Sequence, residues 1–276
     1  MDSQNTTTRR TIVITGANKG IGYAIVEKLI TRPGPYDIIL TSRDTTLGEK
    51  ALKTLQAQHP SSPNKLFYHQ LDVNNEKSID SFADWLKTSS KKLDILISNA
   101  GVMYRTATQE EQKFTIQTNF LSVVALTEKL IPLLSADGKI LMISSGAGQL
   151  AWQGETLRKI LQDPNLDLEK LKGIAQNFIS LTQDFPTSQF QKEPSYAGSK
   201  ALLNYYARNV LTSQLKSTQQ VYCISPGWCR TDMGTDQGLI SAEEGADTPV
   251  YLVELPFVRN DEINGKLIHE RKELAF

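Results

Sequence analysis

The chain is short of the residues that most often carry metal and redox chemistry. It holds two cysteines, Cys223 and Cys229, and three histidines, His59, His69 and His269, among 276 residues. The cysteines make neither a Cys-x-x-Cys nor a disulfide framework, and no His-Glu-x-x-His occurs, so no metal site is expected. Charge imbalance is missing too, with Lys plus Arg and Asp plus Glu at 30 each. Without a basic field or a recognisable motif, neither nucleic acid nor an anionic membrane surface is an expected partner. No apolar run approaches the ~20 residues of a membrane span, and the polar residues 1–10 lack a signal-peptide core. These absences point to a metal-free globular protein of a reducing, cytoplasmic compartment, where the sequon Asn5-Thr6-Thr7 has no role.

What is present begins at residues 11–22, TIVITGANKGIG. Four β-branched residues run into Thr15, glycines follow at Gly16, Gly20 and Gly22, and Ile21, Ala24, Ile25 and Leu29 then keep helical spacing. This pattern predicts strand, glycine turn and helix. In such a unit glycine permits the sharp turn, the approach of backbone N–H groups to a pyrophosphate, and close packing of helix on strand. The helix N-terminus, with a partial charge of roughly +0.5, faces the phosphates. The spacing is Gly-x-x-x-Gly-x-Gly rather than the commoner Gly-x-Gly-x-x-Gly.

Further short apolar strands are predicted at 37–42, 66–71, 93–98, 139–144, 221–225 and 266–269. Helices are predicted between them at 45–59, 75–89, 108–134 and 196–215, and a capping box at Ser241–Glu244 opens another to 254. Strands alternating with helices argue a parallel sheet covered on both faces. The expected fold is α/β: one Rossmann-type, doubly wound domain over 1–276, with about seven strands and a polar tail at 1–10. The rhythm breaks at 149–193, too long for a structureless loop, and a helical insertion is expected there, with a patch at 169–181.

Five places carry candidate chemistry. At the end of the second predicted strand stand Ser42 and Arg43, where an NAD site would place an acid; Arg43 and Lys19 suit a ribose 2′-phosphate, which favours NADPH, although Asp44 can serve a ribose hydroxyl. Tyr196 and Lys200 in SYAGSK lie one helical turn apart, Cβ atoms ~5–6 Å from each other. A nearby ammonium favours the phenolate and is expected to draw the tyrosine pKa down, fitting it to pass a proton to a carbonyl oxygen. Ser144 and Ser145 end the fifth predicted strand at the sheet's carboxyl edge, where ligands bind and a hydroxyl can hold a substrate oxygen. Ser98-Asn99-Ala100-Gly101 suits a close approach of backbone to cofactor or simply a turn. Asn119 sits mid-helix, where asparagine is mildly unfavourable.

In order and spacing, TGANKGIG, LDV at 71–73, SNAG, Asn119, ISS at 143–145, YAGSK and SPGW at 225–228 resemble the short-chain dehydrogenase/reductases. Within them the NKGIG loop, TSRD at 41–44, the long insertion, PGWCRTDM at 226–233 and AEEGADTPVYL at 242–252 resemble the NADPH-dependent carbonyl reductase group. The resemblance implies a catalytic tetrad of Asn119, Ser145, Tyr196 and Lys200. It implies cofactor contacts at Gly16, Asn18, Lys19, Gly20, Ile21, Arg43, Asp72, Val73, Asn99, Tyr196 and Lys200, with Pro226, Gly227 and Thr231 at the nicotinamide end. In that group the insertion covers a helix face that relatives use for tetramers, so a monomer is implied. Ser98 departs from the family's usual Asn. The expected activity is NADPH-dependent reduction of lipophilic ketones, aldehydes or quinones, with Met103, Tyr104, Trp152, Trp228 and Met233 as candidate pocket walls. A hydroxysteroid or alcohol dehydrogenase working in oxidation, and a non-catalytic NADPH sensor, are the alternatives.

Overall fold

The computed structural model describes residues 9–89, 91–105, 108–181 and 193–276. Strands β1 (Arg10–Ile14), β2 (Tyr36–Ser42), β3 (Lys65–Gln70), β4 (Leu93–Ser98), β5 (Leu134–Ile143) and β6 (Gln220–Ile224) are joined first by helices α1 (Gly20–Ile30), α2 (Thr45–Gln58) and α3 (Glu76–Thr88). Between β4 and β5 run α4 (Gln109–Ile116) and α5 (Ser122–Leu130). Between β5 and β6 run α6 (Glu155–Leu161), α7 (Leu168–Gln176), α8 (Pro194–Tyr205) and the short α9 (Thr212–Gln214). The chain closes with β7 (Cys229–Arg230), β8 (Ile240–Ser241), α10 (Ala242–Gly245), α11 (Asp247–Glu254), β9 (Leu267–His269) and β10 (Lys272–Leu274).

The main sheet has eight strands in the order β10-β9-β6-β5-β4-β1-β2-β3, all parallel except β10. Alternation along each strand splits its side chains between two cores. Val13, Ile39, Leu96 and Met142 face one, while Ile12, Ile14, Ile38, Leu40, Ile97 and Leu141 face the other. Strand order reverses between β1 and β4, so the crevice at their carboxyl ends is the topological switch point.

Several details differ from the sequence expectation, among them a small second sheet of β7 and β8 and a break between α10 and α11. The helix expected over 108–134 is interrupted by a five-residue π-helix, Gln117–Leu121, with Asn119 at its centre, and ends in a 3-10 turn at Ile131–Leu133. The helix expected over 196–215 starts at Pro194 and carries a second π segment, Tyr206–Leu211. Strand β5 begins at Leu134, five residues early. Strand β10 was not expected: it turns back antiparallel through Glu270 and Arg271, both at positive φ (47° and 63°), without the Asn-Gly signal that marks such turns in sequence.

The segment after β5 is helical where described, and residues 182–192 of the expected insertion lie outside the described residues. Leu157 and Leu161 of α6, Leu171 and Ala175 of α7, and Phe178 are buried in one cluster with Phe120, Tyr205 and Tyr206. Phe178 fixes the fit, because a Cβ on Gly198 of α8 would run into its ring. The Tyr205 hydroxyl donates to the Asp163 carbonyl (2.6 Å) and accepts from the Leu166 N–H (3.2 Å), tying the segment to α8.

Candidate active site

The crevice begins at the glycine turn. Gly16 and Gly20 sit at φ 60° and 59°, which side chains resist. A Cβ on Gly16 would lie 3.0 Å from the Ala100 Cα, and one on Gly22 would lie 2.5 Å from the Asn99 amide nitrogen. That crowding comes from the turn after β4. The Thr15 hydroxyl accepts from the N–H groups of Asn99 and Ala100 (both 2.9 Å), while the Asn99 Nδ2 donates to the carbonyls of Thr15 (2.8 Å) and Gly16 (3.1 Å). Asn99 therefore holds the glycine turn in shape. Gly20 is open: a Cβ there would meet only the Thr231 side chain, nearest at 3.6 Å.

At the end of β2 the carboxylate and hydroxyl are already engaged. Asp44 caps α2, accepting from the Leu47 N–H at 2.9 Å. Ser42 is buried and donates to the Asp44 carbonyl at 2.7 Å. Arg43 is exposed beside them. Lys19 is exposed as well, its Nζ 2.6 Å from Oδ2 of Asp232 on the strap that follows Gly227. Asn18 and Ile21 are half-buried on the glycine loop. Asp72 shapes the turn after β3 by accepting from the Asn74 N–H (3.0 Å), and the Val73 side chain belongs to the core. On the strap Gly227 takes φ 88°, and the Thr231 hydroxyl accepts from the Gly234 N–H at 3.2 Å.

The four expected catalytic residues converge on the carboxyl ends of β4 and β5. Lys200 is buried in α8 and donates to the Ile143 carbonyl, the last residue of β5, at 2.8 Å. Its Nζ stands 5.7 Å from the centre of the Tyr196 ring. Ser145 follows β5 in extended backbone and accepts from the Ala147 N–H at 3.1 Å. Asn119 is buried: its Oδ1 accepts from the Val102 N–H (2.8 Å) and its Nδ2 donates to the Val102 carbonyl (2.9 Å). The π turn supplies the aim, since it shifts the residue out of α-helical phase, a local cost often found at functional sites. A Cβ on Gly101 would lie 3.1 Å from the Asn119 Oδ1, close enough to crowd it, and 3.8 Å from the Lys200 Nζ, an ordinary contact.

Ser199 completes the frame and was not singled out from the sequence. Its hydroxyl donates to the Tyr196 carbonyl (2.7 Å) and accepts from the Asn119 Nδ2 (3.2 Å). A hydroxyl next to Lys200 within YAGSK was the available signal. Ser144, by contrast, turns inward and donates to the Asn204 Oδ1 at 2.6 Å.

Burial dominates the electrostatics. It pushes the Tyr196 phenol up to about 12, with the Ser145 side chain pulling the other way and the charges of Glu193 and Cys229 adding to the rise. Burial also brings the Lys200 ammonium down from 10.5 to about 8. The expected lowering of the tyrosine by the lysine is thus reversed in the protein alone. Desolvation disfavours each charged form and is the largest cause of both shifts. Of the candidate pocket walls, Met103, Tyr104 and Met233 are half-buried while Trp152 and Trp228 lie at the surface. The Trp228 indole donates to the Gly234 carbonyl at 3.1 Å.

A parallel sheet with a glycine turn at its switch point defines a doubly wound, Rossmann-type protein. The sequence model of the short chain dehydrogenase family matches residues 10–157, and the chain belongs to that family. It is 33% identical over 274 residues to carbonyl reductase [NADPH] 3 of Rattus norvegicus, covering 95% of this chain and 96% of that protein. Carbonyl reductase [NADPH] 1 of Homo sapiens is likewise 33% identical over 258 residues, 88% of this chain and 90% of that one. Among solved structures, salutaridine reductase from Papaver somniferum superposes with a TM-score of 0.81 at 29% identity, covering 95% of this chain and all of the other.

Proposed function

We propose that the protein is an NADPH-dependent reductase of ketone, aldehyde or quinone carbonyls. The observation that carries this reading is the convergence of Tyr196, Lys200 and Ser145 at the sheet's carboxyl edge, beside a glycine turn whose Gly16 and Gly22 leave no room for a side chain. The 33% identity to NADPH-dependent carbonyl reductases supports the same cofactor and reaction. The residues present fit a phosphorylated dinucleotide. Gly20 leaves room for a pyrophosphate, Arg43 and Lys19 are exposed cations, and the nearby Asp44 spends one carboxylate oxygen on its helix cap.

When bound, the reduced nicotinamide supplies the hydride. Tyr196 donates a proton to the carbonyl oxygen, and its high pKa keeps that proton in place at neutral pH. Ser145 hydrogen-bonds the same oxygen and steadies the negative charge that develops there. Lys200 fixes the local field and reaches the nicotinamide ribose, while Asn119 and Ser199 hold the loop after β4 and the Tyr196 backbone in register. Arg43 and Lys19 receive the 2′-phosphate. The backbone at Gly16, Asn18, Gly20, Ile21, Asp72, Val73 and Asn99 borders the cofactor, with Pro226, Gly227 and Thr231 at its nicotinamide end. On this reading the chain is one domain and a cytoplasmic monomer, and the insertion's packing on α8 supports the monomer alone.

The test is a screen of cofactor oxidation over quinones, aromatic aldehydes, diketones and steroid ketones, run with NADPH and with NADH. Turnover of at least one carbonyl class with strong preference for NADPH is expected. Turnover confined to alcohol oxidation, or equal use of both cofactors, would contradict the reading.

A further inference from the structure

A charged pair near Tyr196, Glu193 with Arg105, has no direct contact assigned to it in the chemistry above. Glu193 immediately precedes α8, three residues before Tyr196, and its side chain is 12% exposed. It stands where an acid commonly caps a helix, yet it makes no side-chain cap, and α8 begins with Pro194, which has no N–H to satisfy. Among the described residues its ion-pair partner is Arg105, on the loop after β4, with Nη1 3.9 Å from Oε1. That separation exceeds hydrogen-bond length. The Arg105 side chain is 47% exposed and keeps much of its hydration. The carboxylate is therefore under-compensated: burial outweighs Arg105 and raises Glu193 above its ordinary range. Its charge also reaches Tyr196, adding to the hold on the phenolic proton.

Among the described residues no hydrogen bond answers the Glu193 carboxylate, and an anion so withdrawn from water favours a ligand that supplies one. Resting on the reductase reading, we propose that Glu193 is a specificity-determining residue that favours carbonyl compounds bearing a protonated amine. A substrate whose oxygen meets Ser145 and Tyr196 lies within the field of Glu193. An ammonium on that side gains a charge-assisted hydrogen bond in a partly desolvated place. A carboxylate meets the buried partner's repulsion, and Arg105, already solvated, gains less by answering it.

Three matched aryl ketones test this: one carrying a dialkylaminomethyl group, its isopropyl analogue, and its carboxylate counterpart. The readout is the ratio of kcat/KM for the amine to that for the neutral analogue, in which effects common to all turnover through Tyr196 cancel. The wild-type ratio is expected to be about tenfold, falling to about one in Glu193→Gln and partly restored in Glu193→Asp. A ratio unchanged by Glu193→Gln, or a wild-type preference for the carboxylate, overturns the proposal. Calorimetric titration of the same ketones into the NADP+-loaded protein reads the preference without turnover. If no ketone is reduced, the reductase reading fails while the titration still decides amine selectivity.

Discussion

Two buried lysines stand at the two ends of the β5 region and have opposite employment. Lys139, near the start of the parallel stretch of β5, is fully buried, and its ammonium donates to the carbonyls of Leu252 (3.0 Å), Val253 (3.3 Å) and Leu255 (2.6 Å). Three donors meet three acceptors at the C-terminus of α11, where a cation also suits the helix dipole. Lys200, at the carboxyl end, has one carbonyl acceptor among the described residues, that of Ile143. Burial lowers both, Lys139 to about 7 with help from the Arg10 charge, and Lys200 to about 8. The difference lies in what remains unspent. Lys139 is saturated by the fold and stabilises it, whereas Lys200 keeps donors for the role proposed for it at the site.

Breaking each lysine should therefore break a different property. Lys200→Met is expected to lower kcat/KM by about 10²- to 10⁴-fold with the unfolding midpoint little changed, as read by steady-state kinetics and denaturant melts. Lys139→Met should do the reverse, leaving three buried carbonyls unpaired and removing about 3 kcal/mol of stability in the same melts. Activity lost in Lys139→Met without lost stability would erase the contrast. A smaller effect sharpens it. Because Tyr196 holds its proton to about 12, the alkaline limb of the kcat/KM profile for reduction belongs to Lys200 and should fall above about pH 8. Lys200→Arg, which keeps its charge, should lose that limb, and a limb retained would assign it elsewhere. Arg43→Ala should weaken NADPH by about tenfold and NADH little, measured by fluorescence titration, since the lost contact is to the 2′-phosphate alone. Equal weakening of both would remove Arg43 from cofactor choice.

Legibility in the sequence followed locality. Glycine turn, strands and the Tyr–Lys spacing are short-range patterns, and β1, β2, β4, α1 and the start of α8 fall within a residue or two of where periodicity puts them. The family motifs likewise anticipated the convergence of Asn119, Ser145, Tyr196 and Lys200. What stayed hidden depends on contacts between distant segments. The π turn at Asn119 accompanies the pairing of its side chain with Val102, a contact between separate segments that no local propensity announces. Gly198 reads as a neutral helix position until Phe178 is seen against it. Spacing puts Ser42 and Asp44 at the end of β2 but does not reveal that Ser42 turns inward or that Asp44 caps α2. The direction of the Tyr196 shift was misjudged because sequence spacing reveals a neighbouring charge but not the burial that overrides it.

The central claim is that the phenol of residue 196 delivers the proton. Single-turnover oxidation of NADPH by Tyr196→Phe, with NADPH affinity measured on the same sample, tests it most directly. The account predicts affinity within about twofold of wild type and a reduction rate lower by about 10³-fold or more. A rate within about tenfold of wild type would contradict it.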